Sequence, residues 1–483
     1  MAGAVTMTDR QWLPIAEIAK QVNAGSLKAV DLVEQSLRTI TEQSEYQAII
    51  ATLDEAARAR AQTIDAQIAE GKPAGRLAGV PFIAKDNYLV FGADTTAASN
   101  ILRGFRAPYQ STVINRLEAE GAICVAKANL DAFAHGGSTE NSDFFTTKNP
   151  HDPTRVPGGS SGGSAAAVIL DMAPFALGTD TGGSIRQPAS FTGAVGFKPT
   201  YGTTSRSGVV AMASSTDVMG PLARTVDDAA LVYDVLAGPD PLDSTTIERD
   251  AAGYTDLTPR DLNGVKIGVI KEYFDDSLDA GVRAVIEDGI AKLRAAGAEI
   301  IDVSLPSLPL ALAVYYIVVP AEISSNLSRY DGQRYGYSNP DAQNLEDSYS
   351  GARGHGFGKE AKRRIMIGTY VLSSGYYDAY YKKAQTVRTK LVNEFAEAFT
   401  QVDFLVGPTA PTTAFKIGEN TADPLQMYLA DVMTVGPSLA GLTAIVVPTG
   451  LSDGLPVGMQ LMAAQRADRA LLELAKRAEE LFV

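Results

Sequence analysis

Apolar and polar positions alternate along the chain in two patterns, one typical of helices and one typical of buried strands. Residues 8–70 predict helices: apolar side chains recur at helical spacing over 27–41, and 53–69 is rich in alanine with charges on alternating turns. At 79–84 the pattern changes to a short apolar run, which predicts a buried strand that ends at Lys85. The early part of the chain thus combines helices with an interior strand.

The remainder of the chain repeats this alternation. A strand at 265–270, an amphipathic helix at 282–296 and a strand at 299–303 form a strand–helix–strand unit. Further strands are predicted at 122–126, 404–406, 444–447 and 456–461, and further helices at 113–120 and 469–481. This alternation, without a fixed-period repeat or a linker, predicts an α/β fold with one large, mostly buried sheet and a single compact domain over residues 1–483.

Between residues 156 and 200 the chain is dense in glycine and serine. Each glycine cluster adjoins an apolar stretch, as at 165–170, which a flexible linker would lack. Three Gly-Gly-Ser triplets begin at residues 158, 162 and 182. Consecutive glycines let backbone N–H groups converge, which suits an anion site or an oxyanion hole. The lysine of a phosphate-binding loop is absent, so an oxyanion hole beside a serine nucleophile is favoured.

A serine nucleophile needs a base, and the residues alone leave the identity of that base open. There is no Gly-x-Ser-x-Gly elbow with its partners in order, and no Ser-x-x-Lys pattern around these serines. Lys85 could serve if burial at the strand end kept its amine neutral. The alternative is an ordinary lysine in a salt bridge, which a carboxylate at Asp86 pointing the same way would favour.

Composition and charge exclude several further classes of protein. The 42 Lys and Arg against 56 Asp and Glu give a net charge of −14, which repels a phosphate backbone, so a partner would have to hold any nucleic acid. The single cysteine, Cys124 in an apolar run, and only three histidines argue against a disulfide framework and a metal site. The chain begins without a leader pattern, and the apolar stretch 439–451 is short and interrupted, so we expect a cytoplasmic protein that contacts no membrane.

The stretch GGSSGGSAAAV, followed by ALGTDTGGSIRQPASFTGAVGFKPTYG, resembles the signature of the amidase family, whose members use a Ser-cisSer-Lys triad. The resemblance implies that the lysine of GVPFIAKDN, Lys85, is the base. It implies that Ser160, the first serine of GGSSGG, is the bridging residue beside a cis peptide bond. The serine of DTGGSIR, Ser184, would be the nucleophile.

The same resemblance implies an oxyanion hole and a fold. The hole would be formed by the backbone N–H groups of Thr181, Gly182, Gly183 and Ser184. The implied fold is a large central mixed β-sheet covered by helices on both faces. The remaining polar residues of these loops are expected to fix the loop geometry: Ser161, Ser164 and Asp180.

Outside the signature, the chain resembles the A subunits of the tRNA-dependent amidotransferases, a branch of the family, nearly from end to end. The segments that carry this likeness are AKANLDAFAHGGSTENSDFF, AEISSNLSRYDGQRYG, KRRIMIGTYVLSSGYYDAYYKKAQTVR and DPLQMYLADVMTV. The resemblance implies hydrolysis of free glutamine, whose α-carboxylate Arg364 would bind and whose α-amine Asp431 would bind. Such a zwitterion needs one cation and one anion.

The resemblance also implies partners. Ammonia would pass to a B subunit that uses ATP and magnesium and holds the aminoacyl-tRNA, and a small C subunit would complete a heterotrimer; this chain itself would need no cofactor and no metal. The domain would comprise a helical N-terminal region at about 8–70, the signature core at about 79–230 and a glutamine-binding, partner-facing region at about 310–435.

Two other functions stay open at this point: a stand-alone amidase acting on small aryl or aliphatic amides, and an idle scaffold that only assembles partners. The chain also departs from the branch at two positions. His135 stands where an apolar residue is common, and Gly137 where a serine is common. We expect His135 to be a local structural substitution rather than a second base. The two departures together are expected to alter glutamine affinity or ammonia exit.

Overall fold

The computed structural model describes residues 12–482 and is built around one sheet of 11 strands. In chain order the strands are β1 (Ile49–Thr52), β2 (Pro81–Lys85), β3 (Ile123–Ala128), β4 (Phe175–Asp180), β5 (Val195–Lys198), β6 (Val218–Ala223), β7 (Lys266–Ile270), β8 (Glu299–Val303), β9 (Phe404–Pro408), β10 (Thr443–Ser452) and β11 (Leu455–Ala463). Across the sheet their order is β1-β3-β2-β4-β6-β5-β10-β11-β9-β7-β8. Parallel and antiparallel pairs are mixed, so the predicted α/β fold with a large mixed sheet is confirmed.

Fifteen α-helices accompany the sheet within the described part of the chain. They are α1 (Ile15–Asn23), α2 (Ala29–Glu42), α3 (Asp54–Ala69), α4 (Thr112–Ala119), α5 (Gly162–Ile169), α6 (Arg186–Thr192), α7 (Val226–Leu236), α8 (Ala280–Ala295), α9 (Ala311–Asn326), α10 (Leu345–Gly356), α11 (Lys359–Leu372), α12 (Lys383–Ala398), α13 (Pro424–Leu429), α14 (Val435–Leu439) and α15 (Asp468–Phe482).

The centre of the sheet positions the polar residues of interest. Strand β2 lies between β3 and β4 and runs parallel to both, and every residue of these three strands is buried. In the β2–β4 pair Ala84 is level with Leu177, so Lys85 ends β2 close to where β4 reaches Asp180. The carboxyl ends of adjacent parallel strands form a common edge, which is where α/β proteins usually place their sites.

The structure departs from the sequence predictions in the number of strands. Residues 8–70 are not helical throughout, because β1 lies between α2 and α3 and pairs with β3. Three interior strands, β4, β5 and β6, were not predicted either. They are only four to six residues long and each contains glycine, which weakens the strand pattern in the sequence even though all three are buried.

A long apolar helical segment lies outside the stretch 439–451 that the sequence analysis considered. Within the described residues, Leu308–Arg329 is long and apolar enough to cross a membrane by length and composition alone. Half of it is buried inside the protein, where α9 packs against α11 and α12. Such burial is that of a core helix, and it places Tyr315 and Tyr316 next to the residues described below.

Candidate active site

Strand β2 ends at Lys85, whose side chain is fully buried. Its Nζ lies 2.7 Å from Ser160 Oγ and 2.9 Å from both Ser161 Oγ and Thr179 Oγ1. Burial lowers the pKa of Lys85 to about 7, although nearby carboxylates oppose the shift. An amine that is neutral near pH 7 can accept a proton from a hydroxyl group, which is what a general base must do. We call Lys85 and these hydroxyl-bearing residues, with Ser184, the hydroxyl corner.

The salt-bridge alternative for Lys85 does not apply, because the adjacent carboxylate points the other way. Side chains of successive strand residues point to opposite faces, and Asp86 Oδ1 lies 2.7 Å from Nζ of Lys127 on β3, with both side chains buried. Among the described residues no carboxylate comes within ion-pair distance of Lys85. Two buried lysines on neighbouring strands are therefore in different surroundings, one beside a carboxylate and one beside hydroxyls.

A tight loop before α5 presents Ser160. The Gly159–Ser160 peptide bond is cis, as the resemblance implied. Gln187 Oε1 accepts a hydrogen bond of 2.8 Å from the Gly159 N–H, and Thr139 Oγ1 donates one of 2.7 Å to the Gly158 carbonyl. These buried contacts hold the backbone that leads into Ser160 and so fix its hydroxyl against Lys85.

The two serines that follow Ser160 have different surroundings. Ser164 Oγ donates to the carbonyl of Leu177 at 2.9 Å, which ties α5 to β4 as expected for a scaffold residue. Ser161 was also expected to be scaffold, yet its Oγ lies as close to Lys85 Nζ as Thr179 Oγ1 does. Ser161 therefore contributes to the hydrogen bonding of the lysine as well as to the loop.

The loop after β4 carries Ser184 and is organised by a buried ion pair. Asp180 Oδ1 lies 2.9 Å from Arg186 Nη2, and it accepts a hydrogen bond of 2.9 Å from the Gly183 N–H. Gly183 has φ +136°, a conformation that favours glycine, and a Cβ there would overlap the side chain of Thr434. Asp180 therefore shapes the loop, and only glycine fits at its turn.

The backbone N–H groups of this loop differ in whether they are available for the predicted oxyanion hole. The N–H of Gly183 already donates to Asp180, so it is not free for a substrate oxygen. The N–H groups of Thr181, Gly182 and Ser184 donate to no acceptor among the described residues. The side chain of Thr181 is fixed separately, since its Oγ1 donates to Asp217 at 2.7 Å.

Ser184 lies against the Ser160 loop and is only 8% exposed. The Ser161 N–H donates to the Ser184 carbonyl at 3.1 Å, which joins the two loops. The bridging role that the resemblance gives Ser160 calls for a hydrogen bond between the Ser160 and Ser184 hydroxyls, and none is formed among the described residues. The contact between Ser160 Oγ and Lys85 Nζ is formed, whereas the link from Ser184 to the lysine remains a prediction.

A charged pocket, which we define by Glu360, Arg364 and Asp431, adjoins this corner. Arg364 on α11 is 2% exposed, and its Nε donates to Glu360 Oε1 at 2.9 Å. Its guanidinium carbon lies 5.2 Å from the ring centroid of Tyr316 and 5.6 Å from that of Tyr428, whose hydroxyl donates to Glu360 at 2.8 Å. Its two Nη atoms donate to no described residue, which leaves a fixed, planar fork able to bind a carboxylate.

Asp431 supplies the opposite charge. It is half-buried, and its carboxyl accepts no hydrogen bond from a described residue. Burial raises the pKa of Asp431 to about 8, against the effect of Arg364. Thr434 connects it with the hydroxyl corner, because Thr434 Oγ1 lies 2.5 Å from the Gly182 carbonyl oxygen and 3.0 Å from that of Asp431, so its one O–H is shared between them. A Cβ on Gly137 would lie 3.4 Å from Asp431 Oδ1, so Gly137 leaves the carboxyl open.

The other residue types that could perform catalysis or bind a metal lie in surroundings that do not suit these roles. His135 is fully buried, burial holds its pKa well below the usual range, and its ring nitrogens have no hydrogen-bond partner among the described residues. Burial raises the pKa of Cys124 to about 12, so this thiol stays protonated. Residues 12–482 contain no cluster of three His, Cys, Asp or Glu side chains that could hold a metal.

Sequence reasoning missed the side chains that hold the predicted ones in place. Glu360 carried a usable signal, because it lies four residues before Arg364 on a helix and so faces the same side. Tyr316, Tyr428, Thr179 and Gln187 carried none, since they come from separate elements that only the fold brings together.

Comparisons with known proteins identify the family of this chain. Residues 31–472 match the family model described as Amidase. The chain is 50% identical to the A subunit of glutamyl-tRNA(Gln) amidotransferase from Caldanaerobacter subterraneus subsp. tengcongensis, over 97% of this chain and 96% of that protein. It is also 50% identical to the protein of the same name from Gloeobacter violaceus, over 96% of each.

A solved structure shows the same fold. The crystal structure of the A subunit of glutamyl-tRNA(Gln) amidotransferase from Thermotoga maritima superposes with a TM-score of 0.81, at 39% identity, over 99% of this chain and 96% of that one. The chain therefore belongs to the amidase family, within the branch formed by the A subunits of glutamyl-tRNA(Gln) amidotransferases.

Proposed function

We propose that this chain hydrolyses the side-chain amide of glutamine and supplies the ammonia to a tRNA-dependent amidotransferase. The observation that carries the proposal is the charged pocket beside the hydroxyl corner. Arg364 offers an unused guanidinium fork and Asp431 an unused carboxyl, joined through Thr434 to the loop of Ser184. A free amino acid carries one carboxylate and one ammonium group, so the pocket matches both ends of such a substrate.

Binding at the two charged groups would direct the side-chain amide toward Ser184. The Ser184 Oγ attacks the amide carbon, and its proton passes through Ser160 to the neutral amine of Lys85. The negative oxygen of the tetrahedral intermediate accepts hydrogen bonds from backbone N–H groups of Thr181, Gly182 and Ser184. Removing one such donor typically costs about 3–4 kcal/mol of transition-state stabilisation.

The second half of the reaction returns the proton. The protonated Lys85, through Ser160, gives its proton to the departing nitrogen, so ammonia leaves and a glutamyl ester remains on Ser184. Water then loses a proton to Lys85 by the same route and attacks the ester carbonyl. As the ester bond to Ser184 Oγ breaks, Lys85 returns this proton through Ser160 to that oxygen, so glutamate leaves and the hydroxyl is restored. The net reaction is glutamine plus water giving glutamate plus ammonia.

The partners follow from the names of the relatives, which are subunits of a larger enzyme. We propose a heterotrimer with B and C subunits in the cytoplasm, where the B subunit binds ATP, magnesium and the aminoacyl-tRNA. The tRNA would be glutamyl-tRNA(Gln), aspartyl-tRNA(Asn) or both. A net charge of −14 suits a chain that leaves most tRNA contacts to its partner.

The test compares glutamine with two shortened amides, one lacking the α-carboxylate and one lacking the α-amine. Ammonia release is measured for the chain alone and with its B and C subunits, aminoacyl-tRNA and ATP. We expect strong preference for glutamine and a rise in activity with partners. Equal turnover of all three amides, unaffected by partners, would instead establish a stand-alone amidase.

A further inference from the structure

Four neighbouring strands each bring one buried ionisable side chain to the same edge of the sheet. In the strand order β3-β2-β4-β6, these side chains are those of Asp131, Lys85, Asp180 and Asp217. The register places them close together, because Lys85 pairs with the last residue of β3 and Asp180 pairs with the first residue of β6. The lysine of the hydroxyl corner therefore has buried carboxyl groups on both sides.

Two of the carboxylates near Lys85 already have a cation of their own. Asp180 pairs with Arg186 at 2.9 Å. Asp86, which follows Lys85 on the strand, pairs with Lys127 at 2.7 Å. The charges of each pair largely cancel, so neither pair adds much net charge beside Lys85.

The other two carboxyl groups, those of Asp131 and Asp217, have no cation within ion-pair distance among the described residues. Asp131 accepts hydrogen bonds from three backbone N–H groups of residues 138–141. Asp217 accepts hydrogen bonds from the backbone N–H groups of residues 212–213 and, at 2.7 Å, from the Thr181 hydroxyl. Burial raises the pKa of each carboxyl group to about 6 against these donors, so both are ionised at pH 7 and above.

Asp131 and Asp217 lie near Lys85 without touching it. Asp131 packs behind the Ser160 loop, where a Cβ on Gly159 would overlap its Oδ2 atom. Asp217 lies on the other side, beside the end of β4. Within the described part of the chain, the Lys85 Nζ itself contacts only oxygens of hydroxyl groups and of one backbone carbonyl.

This separation suits a base that must gain and lose a proton. A carboxylate in contact would keep the lysine protonated at neutral pH, as in an ordinary salt bridge. Burial lowers the pKa of Lys85, and Asp131, Asp180 and Asp217 oppose that shift only in part. The amine is therefore neutral at rest, and the ammonium group that it becomes is attracted from both sides.

We infer that Asp131 and Asp217 are positioning residues for the amide hydrolysis, whose negative charges stabilise the ammonium group formed when the proton of Ser184 reaches Lys85. The inference rests on the proton route of the proposed function. Without these two charges, a fully buried ammonium group would have only neutral oxygens around it, which is costly in a medium of low dielectric constant.

The experiment measures the protonation of Lys85 directly, by NMR of the chain labelled with ¹³C at the lysine Cε and without substrate. The signal that Lys85→Met removes is assigned to Lys85. Asp217→Asn is the test variant, because its amide can still accept from a backbone N–H and donate to the Thr181 hydroxyl but carries no charge. We expect the pKa of Lys85, about 7 in the wild type, to fall by about one unit, the lower end of what a nearby opposite charge does.

Two control variants separate the charge of Asp217 from its hydrogen bonds. Thr181→Val removes the hydroxyl that Asp217 holds but keeps the carboxylate and its N–H donors. Asp468→Asn neutralises another buried carboxyl group, at the beginning of α15, which accepts from the N–H and hydroxyl of Thr200 at 2.8 and 2.7 Å. Both controls should move the pKa of Lys85 far less than Asp217→Asn does.

Kinetics with glutamine provide a second readout. In Asp217→Asn the pH at which kcat rises should move down with the pKa of Lys85, and the plateau of kcat should fall roughly 3- to 10-fold, because the lysine is a weaker base. If Asp217→Asn melts early, Asp131→Asn is the second test and should shift the pKa of Lys85 in the same direction.

An unchanged or raised pKa of Lys85 in the folded test variant would overturn the inference, as would an equal shift in either control. Failure of the proposed function is distinguishable, because the NMR titration contains no substrate. In that case the wild type releases no ammonia from glutamine in the presence of its partners, whatever the titration of Lys85 shows.

Discussion

Around Lys85 the neighbouring side chains are hydroxyls, whereas around Arg364 they are a carboxylate and two aromatic rings. Hydroxyls can pass protons, but they do not hold a lysine in its charged form as a carboxylate does. A carboxylate and aromatic rings hold an arginine charged and immobile. The comparison teaches that the two regions divide the work: the hydroxyl corner performs the chemistry, and the charged pocket selects and orients the substrate.

A second buried lysine, Lys198, shows why the hydroxyl partners of Lys85 matter. Burial also lowers the pKa of Lys198 to about 7, yet its Nζ donates to backbone carbonyls, at 3.0 Å for Pro199 and more closely for Leu442. Carbonyl oxygens only accept hydrogen bonds and have no proton to give. A lowered pKa alone therefore does not mark a base, and the hydroxyl partners of Lys85 make the difference.

The largest effect should follow from damage to the hydroxyl corner. Ser184→Ala and Lys85→Met should each lower kcat for glutamine on the order of 10⁴- to 10⁶-fold, because nucleophile and base act as one unit. The double variant should be no slower than either single variant. Ser164→Ala is the matched control, since it removes a buried hydroxyl from α5, just after the Ser160 loop, without touching Lys85, and its kcat should stay near that of the wild type. Steady-state ammonia release measures all four.

The next largest effect should come from the charged pocket and should appear in KM. Arg364→Gln removes charge-assisted hydrogen bonds worth about 1.5–3 kcal/mol, so KM for glutamine should rise roughly 10- to 150-fold. An exposed cation on the same helix provides the control: Lys362 Nζ donates to the Gly354 carbonyl, away from the pocket, so Lys362→Gln should change KM little. A fall in kcat with unchanged KM for Arg364→Gln would mean that the two regions do not divide the work as described.

The two regions should respond at different pH values. Below the pKa of each group, the kinetic constant that depends on it should fall about tenfold per pH unit. The base must be neutral, and the pKa of Lys85 is lowered to about 7, so kcat should rise with pH through about 7 and level off above it. The pKa of Asp431 is raised to about 8, and an ammonium group binds the ionised form, so kcat/KM should show a further rise near 8. Asp431→Asn should remove that second rise and leave the first.

The smallest effect concerns Glu360, which touches the arginine rather than the substrate. Glu360→Gln weakens the contact that fixes Nε of Arg364, so KM should rise about 2- to 10-fold, in keeping with about 0.5–1.5 kcal/mol for one hydrogen bond. In the Arg364→Gln background the same substitution should add almost nothing. An equal effect in both backgrounds would show that Glu360 acts through stability instead.

The two regions also differ in how much of each can be predicted from the sequence. Local sequence predicted a serine nucleophile beside glycine-rich backbone donors and offered Lys85 at a strand end as one candidate base, whereas the roles of Ser160 and Ser184 came from the resemblance. Arg364 and Asp431 came only from a resemblance, because the pocket joins α9, α11 and the segment after α13 through contacts distant in the chain. Similarly, strands β2, β3 and β7 to β11 were predicted from their apolar runs, whereas β1, β4, β5 and β6 were not.

The central claim is that Ser184 becomes acylated by the side chain of glutamine. The most direct measurement is acid quenching during turnover, followed by peptide mapping by mass spectrometry. The account predicts one glutamyl group in ester linkage on Ser184, absent from Ser184→Ala and depleted in Arg364→Gln at low glutamine concentration. A glutamyl group on any other residue, or rapid turnover by Ser184→Ala, would contradict it.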